Sequence, residues 1–303
     1  MRNFSGNARR SLRLAPVLWA IAVVFSPGFP PAALADEHAR EPAPSGRSAL
    51  PDGLRGELSP GRPLDLILLV DASLDAATST GTDVNGDGKV DPGKGLRLTK
   101  GVLPTVSFRT GEDAILAAEI YAARRIVASA IHEGTRIGVV LMAQPFDPHP
   151  CELVPEGPGA ELLQPLTEDR TMVLAALDRI AMRRAGGASN LAEGIRMSVS
   201  MLTGLPDTGA EARPDARRRV IFFGHRAPTF PFGSPYHTSP DDIALAERAA
   251  KVAATAGIRI EILTFGKGEG KVISSLARIA EITGGELTRI PDVRKAAFGA
   301  SPP

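Results

Sequence analysis

The sequence predicts an α/β fold: a doubly wound, mostly parallel open sheet with helices on both faces. Two observations carry this. Run 64–70 (LDLILLV) is apolar without alternation, and 135–142 (TRIGVVLM), 219–223 (RVIFF) and 259–265 (RIEILTF) read as further strands. Continuous apolarity over strand length marks strands buried on both faces. Between the runs lie segments with helical spacing, and strands alternating with helices build a parallel sheet covered on both sides.

Taken in order, the chain opens with a targeting pattern. Arg2, Arg9, Arg10 and Arg13 form a basic start, 15–25 (APVLWAIAVVF) is an apolar run of 11 residues, and Ala33-Leu34-Ala35 is a small-residue cleavage site. Residues 1–35 therefore read as a signal peptide and the protein as exported, to the periplasm or the medium. Arg9-Arg10 keeps a twin-arginine route open beside the general secretory one. Residues 36–62 are rich in Pro, Gly, Ala and charge without a period and read as a flexible linker.

The ordered domain is expected over 63–290. The first strand ends in Asp71, and 76–110 is a Gly-, Asp- and Thr-rich insertion without a helical pattern. A helix over 113–131 places Ile115, Ala118, Glu119, Ala122, Ile126 and Ala130 near one face. After the 135–142 strand, 162–166 is a short edge strand, because Pro165 would break a central ladder. Thr167 is expected to cap a helix over 170–182 with Met172, Val173, Ala176, Leu177 and Ile180 inward. Further helices are expected over 189–202, 240–256 and 272–282, the last closed by Gly284-Gly285. Strand 286–290 completes the domain, and the tail 291–303 is expected to be loose.

Composition narrows the function. The chain has 35 Lys+Arg against 34 Asp+Glu, which argues against nucleic acid as a partner. Without residues 1–35 the balance becomes 31 bases to 34 acids, a net −3. Beyond that segment no run approaches the roughly 18 apolar residues of a membrane span, so none is expected after signal cleavage. Cys151 is the only cysteine, so no internal disulfide forms.

Ligands of open α/β sheets bind beyond the carboxyl ends of the strands. Asp71, 187–189 and 224–225 all fall there, so three segments converge on one rim. Asp71-Ala72-Ser73-Leu74-Asp75 is close to an Asp-x-Ser-x-Ser motif. Gly186-Gly187-Ala188-Ser189-Asn190-Leu191 resembles a Gly-Gly-Thr-Asn loop, 276–285 (LARIAEITGG) a final helix with its Gly-Gly stop, and 115–119 (ILAAE) a first helix. In this order, the chain resembles the von Willebrand factor type A (vWA) family, of Rossmann-like architecture, over roughly 63–290.

The resemblance implies a divalent cation at the rim, held by the first motif, a second-loop threonine and a third-loop aspartate, which accepts a carboxylate from a partner protein. A hard ion such as Mg²⁺ suits oxygen ligands. Three positions depart from the pattern: Asp75 replaces the second serine, Ser189 replaces the threonine behind an inserted Ala188, and His225 replaces the aspartate. Three readings follow. Asp71, Ser73, Asp75 and Ser189 rebuild a Mg²⁺ or Ca²⁺ site; His225 beside the two carboxylates holds a softer ion such as Zn²⁺ or Mn²⁺; or the site is lost, with His225 and Arg226 pairing with Asp71 and Asp75.

Within the insertion, 83–91 (DVNGDGKVD) carries a calcium-like spacing. Asp83, Asn85, Asp87 and Asp91 stand at positions 1, 3, 5 and 9, Gly88 at position 6, and Lys89 offers its carbonyl at 7. Gly88 lets the backbone wrap so that alternate side chains point inward. Lys94 stands at position 12 where a bidentate acid is needed, leaving Glu112 or Asp113 as a distant source of that oxygen.

Ser73, His225 and Asp71 also permit a hydrolase reading, but no Gly-x-Ser-x-Gly elbow supports it. No phosphate-binding glycine loop follows a strand. The expectation is therefore a protein-interaction module and not an enzyme, the alternative being a calcium-stabilised structural envelope domain. The 225–239 loop, with Pro228, Phe230, Pro231, Phe232, Pro235 and Tyr236, offers aromatics for a protein partner, or folds them inward over the sheet end.

Overall fold

The computed structural model describes residues 62–91, 95–98, 106–130, 134–142, 159–183, 185–233, 237–266, 270–296 and 298. All of them lie in one compact unit, Ala43–Pro303. The signal peptide, the linker up to residue 61, Lys94, Cys151, Pro235 and Tyr236 fall outside the described residues.

Six strands form one sheet: β1 (Leu64–Asp71), β4 (Thr135–Met142), β5 (Glu161–Thr167), β6 (Arg217–Phe223), β7 (Ile258–Phe265) and β8 (Leu287–Ile290). Their order is β5-β4-β1-β6-β7-β8. All neighbours run parallel except the edge strand β5, which pairs antiparallel to β4 with register shifts. Pro165 sits on that edge, where a missing N–H costs no central ladder bond. Every residue of β1 is buried, as a strand covered on both faces requires.

Helices α1 (Ile115–Ala130) and α2 (Arg170–Ala181) cover one face, against Leu64, Leu66, Leu68 and Val70. Helices α3 (Leu191–Thr203), α4 (Pro240–Thr255) and α5 (Gly270–Thr283) cover the other, against Ile67, Leu69 and Phe222. The approach of α3 is close at Gly194, where a Cβ would lie 2.6 Å from Met142 Sδ and 2.9 Å from Leu69 Cδ1.

Several local expectations are corrected. The insertion holds a 3-10 turn over Leu74–Ala77 and a hairpin of β2 (Gly95–Leu98) and β3 (Val106–Arg109), which pair with each other and not with the main sheet. The cap of α2 is Asp169, whose carboxylate accepts the Thr171 amide at 2.8 Å; Thr167 instead accepts the Asp169 amide at 3.1 Å. Met172 is 48% exposed rather than inward, because the buried stripe of α2 runs Val173, Ala176, Leu177, Ile180. Nor is the whole segment after β8 loose. Val293 and Phe298 are buried against the α1 face, and Ser129 donates a hydrogen bond to the Phe298 carbonyl at 2.5 Å.

At the end of the sheet opposite the rim, Asp65 is fully buried. Arg136 donates to it through Nε at 2.9 Å and Nη2 at 2.7 Å, and Arg213 through Nη2 at 2.5 Å. Arg213 also donates to the Leu64 and Gly134 carbonyls at 3.1 and 2.9 Å, tying the starts of β1 and β4 together. The hydrogen bond to Asp65 raises the Arg136 guanidinium above its usual pKa. Removing one partner of such a set leaves the others uncompensated. Asp65→Ala is expected to destabilise the domain by roughly 3 kcal/mol, read as a lower urea midpoint at unchanged slope; an unchanged midpoint would contradict this account.

Candidate functional site

Asp71 is the last residue of β1 and is fully buried. Its Oδ1 accepts the Ser73 amide at 2.9 Å and its Oδ2 accepts the Ser189 hydroxyl at 3.1 Å. Ser189 is brought there by backbone bonds between two loops: the Gly186 amide donates to the Ala72 carbonyl at 2.8 Å, and the Leu74 amide to the Gly187 carbonyl at 3.1 Å. Gly187 turns between them at φ +73, a conformation that a Cβ penalises. Asn190 then caps α3 by accepting the Glu193 amide at 3.2 Å.

The third loop joins through Thr229, which is buried. Its hydroxyl accepts the Ser189 amide at 3.1 Å, and its own amide donates to the Ser189 carbonyl at 3.0 Å. Nothing in the sequence singled out Thr229; only its position after β6 points to the rim.

The remaining rim residues take other partners. Asp75, on the 3-10 turn, forms an ion pair with Arg226. His225 turns inward and is almost fully buried, its Nδ1 3.7 Å from Glu119 Oε1. Of the five expected rim ligands, Asp71, Ser73 and Ser189 come together, while Asp75 faces Arg226 and His225 faces Glu119. With Asp75 paired to Arg226 and His225 turned to Glu119, the side chains present do not reproduce the ligand set that the resemblance implies. Among the described residues no three His, Cys, Asp or Glu side chains gather as a metal cluster.

Glu119 is the unanticipated member. It lies on the inward face of α1, fully buried, and neither carboxyl oxygen makes a hydrogen bond. Burial, and next the negative charge of Asp71, push its carboxyl well above the ordinary pKa. The available signal was an acid at a core position of a helix with Ile115, Ala122 and Ile126 on the same face.

The calcium-like loop closes on itself. Asp83 accepts the Gly86 amide at 2.6 Å and the Gly88 amide at 2.8 Å; Asn85 accepts that of Asp87 at 3.0 Å, and Asp87 that of Lys89 at 2.8 Å. Buried Asp113 clasps its two ends, accepting the Val84 amide at 2.5 Å and the Asp91 amide at 2.7 Å. Glu112 accepts Asn85 Nδ2 at 2.6 Å. Both acids named as distant sources of an oxygen thus lie against the loop.

Two amides of the loop after β6 are held by a buried acid. Asp242, fully buried on the first turn of α4, accepts the Phe232 and Gly233 amides, both at 2.8 Å. Phe230 is half-buried, whereas Phe232 is 60% exposed.

Solved structures are similar to the chain at low sequence identity. The VWA domain of SpRpn10 is 14% identical over 80% of this chain and 99% of its own, at a TM-score of 0.48. A single-site mutant of the PilB minor pilin from Streptococcus sanguinis is 11% identical over 78% of this chain and 59% of its own, at a TM-score of 0.50. The architecture is an α/β fold of the vWA/Rossmann-like kind. A von Willebrand factor type A protein from Catenulispora acidiphila shares 14% identity over 78% of this chain and 41% of its own, at a TM-score of 0.44. At such identities the likeness is one of fold. No protein-family profile and no curated protein matches the chain.

In this vWA fold the buried Glu119 sets a pH dependence. With a folded pKa above the unfolded one, the unfolded chain ionises first, so stability falls as pH rises from the ordinary carboxylate range towards the raised value. Glu119→Gln removes that titration. The variant is expected to gain melting temperature relative to the parent as pH rises from 4 to 8; a constant difference across that range would refute the assignment.

Proposed function

We propose that this vWA fold is a protein-recognition module whose partner docks on the C-terminal rim. The observation that carries the reading is Phe232, a large aromatic held 60% exposed by a loop whose amides are fixed on buried Asp242. An aromatic ordered before contact gives up little entropy on binding, which is why such residues anchor interfaces. The Arg226–Asp75 pair on the same rim adds charge beside it. The N-terminal targeting pattern supports action outside the cytoplasm, and no reaction is assigned to the site.

A photo-crosslinking residue at position 232, with a second at Val252 near the far end of α4 (58% exposed) as control, tests this. The expected result, in cells that make the protein, is one protein cross-linked from 232 and not from 252. Equal labelling from both, or none from 232, would refute it.

The insertion favours a second reading, that calcium orders the domain without touching a partner. Its observation is the loop wrapped on Asp83, with Glu112 and Asp113 packed where Lys94 offers no oxygen. Carboxylate oxygens that accept an amide keep a further lone pair for a cation. After chelation, Ca²⁺ is expected to raise the melting temperature of the parent and not of Asp87→Ala, since an ion bound only by the folded state stabilises it. The absence of a shift in the parent removes this reading.

A further inference from the structure

At the rim, a position that departs from the metal-binding pattern is paired in space with a neighbour of another. An acid is gained at Asp75 where a hydroxyl was expected, and a guanidinium stands at Arg226, beside the position where an acid was lost. In the structure these two form an ion pair. His225, which occupies the lost acid's place, turns inward to Glu119 and away from solvent. The net effect at the rim is one carboxylate added, one removed, and one fixed cation supplied by the chain itself.

We propose that Arg226 is the built-in cation of this vWA rim, joining the third loop to the 3-10 turn in place of a shared divalent ion, so that the rim is ordered without metal and recognises its partner in metal-independent fashion. A guanidinium is protonated at every relevant pH and is weakly hydrated, so it pairs at a partly buried site more readily than an ammonium. The side chains are 29% exposed for Arg226 and 15% for Asp75, so solvent only partly screens the pair. Tethering also removes the concentration dependence that governs a bound ion. Arg226 ties the third loop to the 3-10 turn, the link that a shared ion would otherwise make, while Thr229 and Ser189 tie it to the second loop.

Only the partner half of this inference rests on the recognition reading; the metal half is tested on the protein alone. All variants carry Asp87→Ala, which silences the insertion loop, and are chelated before titration with Mg²⁺ or Mn²⁺. The parent is expected to show no change in melting temperature and no paramagnetic broadening of the Ser189 amide by Mn²⁺. Combining Arg226→Ala with His225→Asp frees Asp75 and restores the third-loop acid. That variant is expected to gain about 5–10 °C at a hundredfold excess of metal over Kd, a gain lost again on adding Asp71→Ala.

A parent shift or broadening abolished by Asp71→Ala overturns the proposal, as does a folded double variant that gains nothing. The broadening measurement uses the intact rim and decides the matter even where the double variant does not fold. Cross-linking from position 232 is expected to persist in chelator, and its loss there also overturns the proposal. If position 232 captures no partner at all, the recognition reading fails, and the metal titrations still decide this one.

Discussion

A carboxylate at the end of a strand buried on both faces has no route to bulk water, so its oxygens must be satisfied within the protein. Asp71 is in that position, and its two partners come from different loops: the Ser73 amide and the Ser189 hydroxyl. The rest of the rim follows. Ser189 is held against Asp71, Thr229 is held against Ser189, and the third loop is thereby fixed in relation to the first. The strand exists because six of its eight residues are apolar and covered by helices on both sides, so the packing of the core dictates where the one terminal acid stands.

The sheet carries buried acids at its two ends, and they are treated differently. Asp65 is saturated by two arginines and serves to join the starts of β1 and β4. Beneath the rim, Glu119 has no hydrogen bond and holds its proton far above the ordinary range. The first arrangement recovers the cost of burying a charge through paired hydrogen bonds; the second avoids that cost by staying neutral. The less satisfied groups thus collect at the carboxyl ends of the strands, where open α/β sheets bind their ligands.

Much of this was legible in the sequence. The central strands announced themselves because parallel strands are apolar on both faces, and 135–142 matches its strand residue for residue. Asp71, Ser73 and Ser189 were placed correctly at one rim, since topology alone brings strand ends together. What stayed hidden depends on distances between remote residues. Of the pairings expected under the third reading of the rim, Arg226 meets Asp75 whereas His225 faces Glu119 and not an aspartate of the first motif, a difference that only positions in space reveal. The β2–β3 hairpin lay within a segment lacking periodicity, and the burial of Val293 and Phe298 reflects a groove beside α1 that no local pattern describes. Asp169 displaced Thr167 as the cap because it stands immediately before the first helical residue.

The segment after β8 reaches further than its own packing. Arg294 lies over the Tyr121 ring at 5.8 Å and donates to the Val84 carbonyl at 3.4 Å, while Phe298 is fastened to Ser129. The returning segment therefore rests on α1 and touches the 83–91 loop directly. Such an arrangement is subject to reciprocity: whatever lowers the free energy of one ordered segment does the same for its neighbour, by an equal amount in either direction. A cation or protein that steadied the loop would slow local opening of the 292–298 segment. A covalent change in that segment would in turn be felt as altered affinity at a loop on the far side of the sequence.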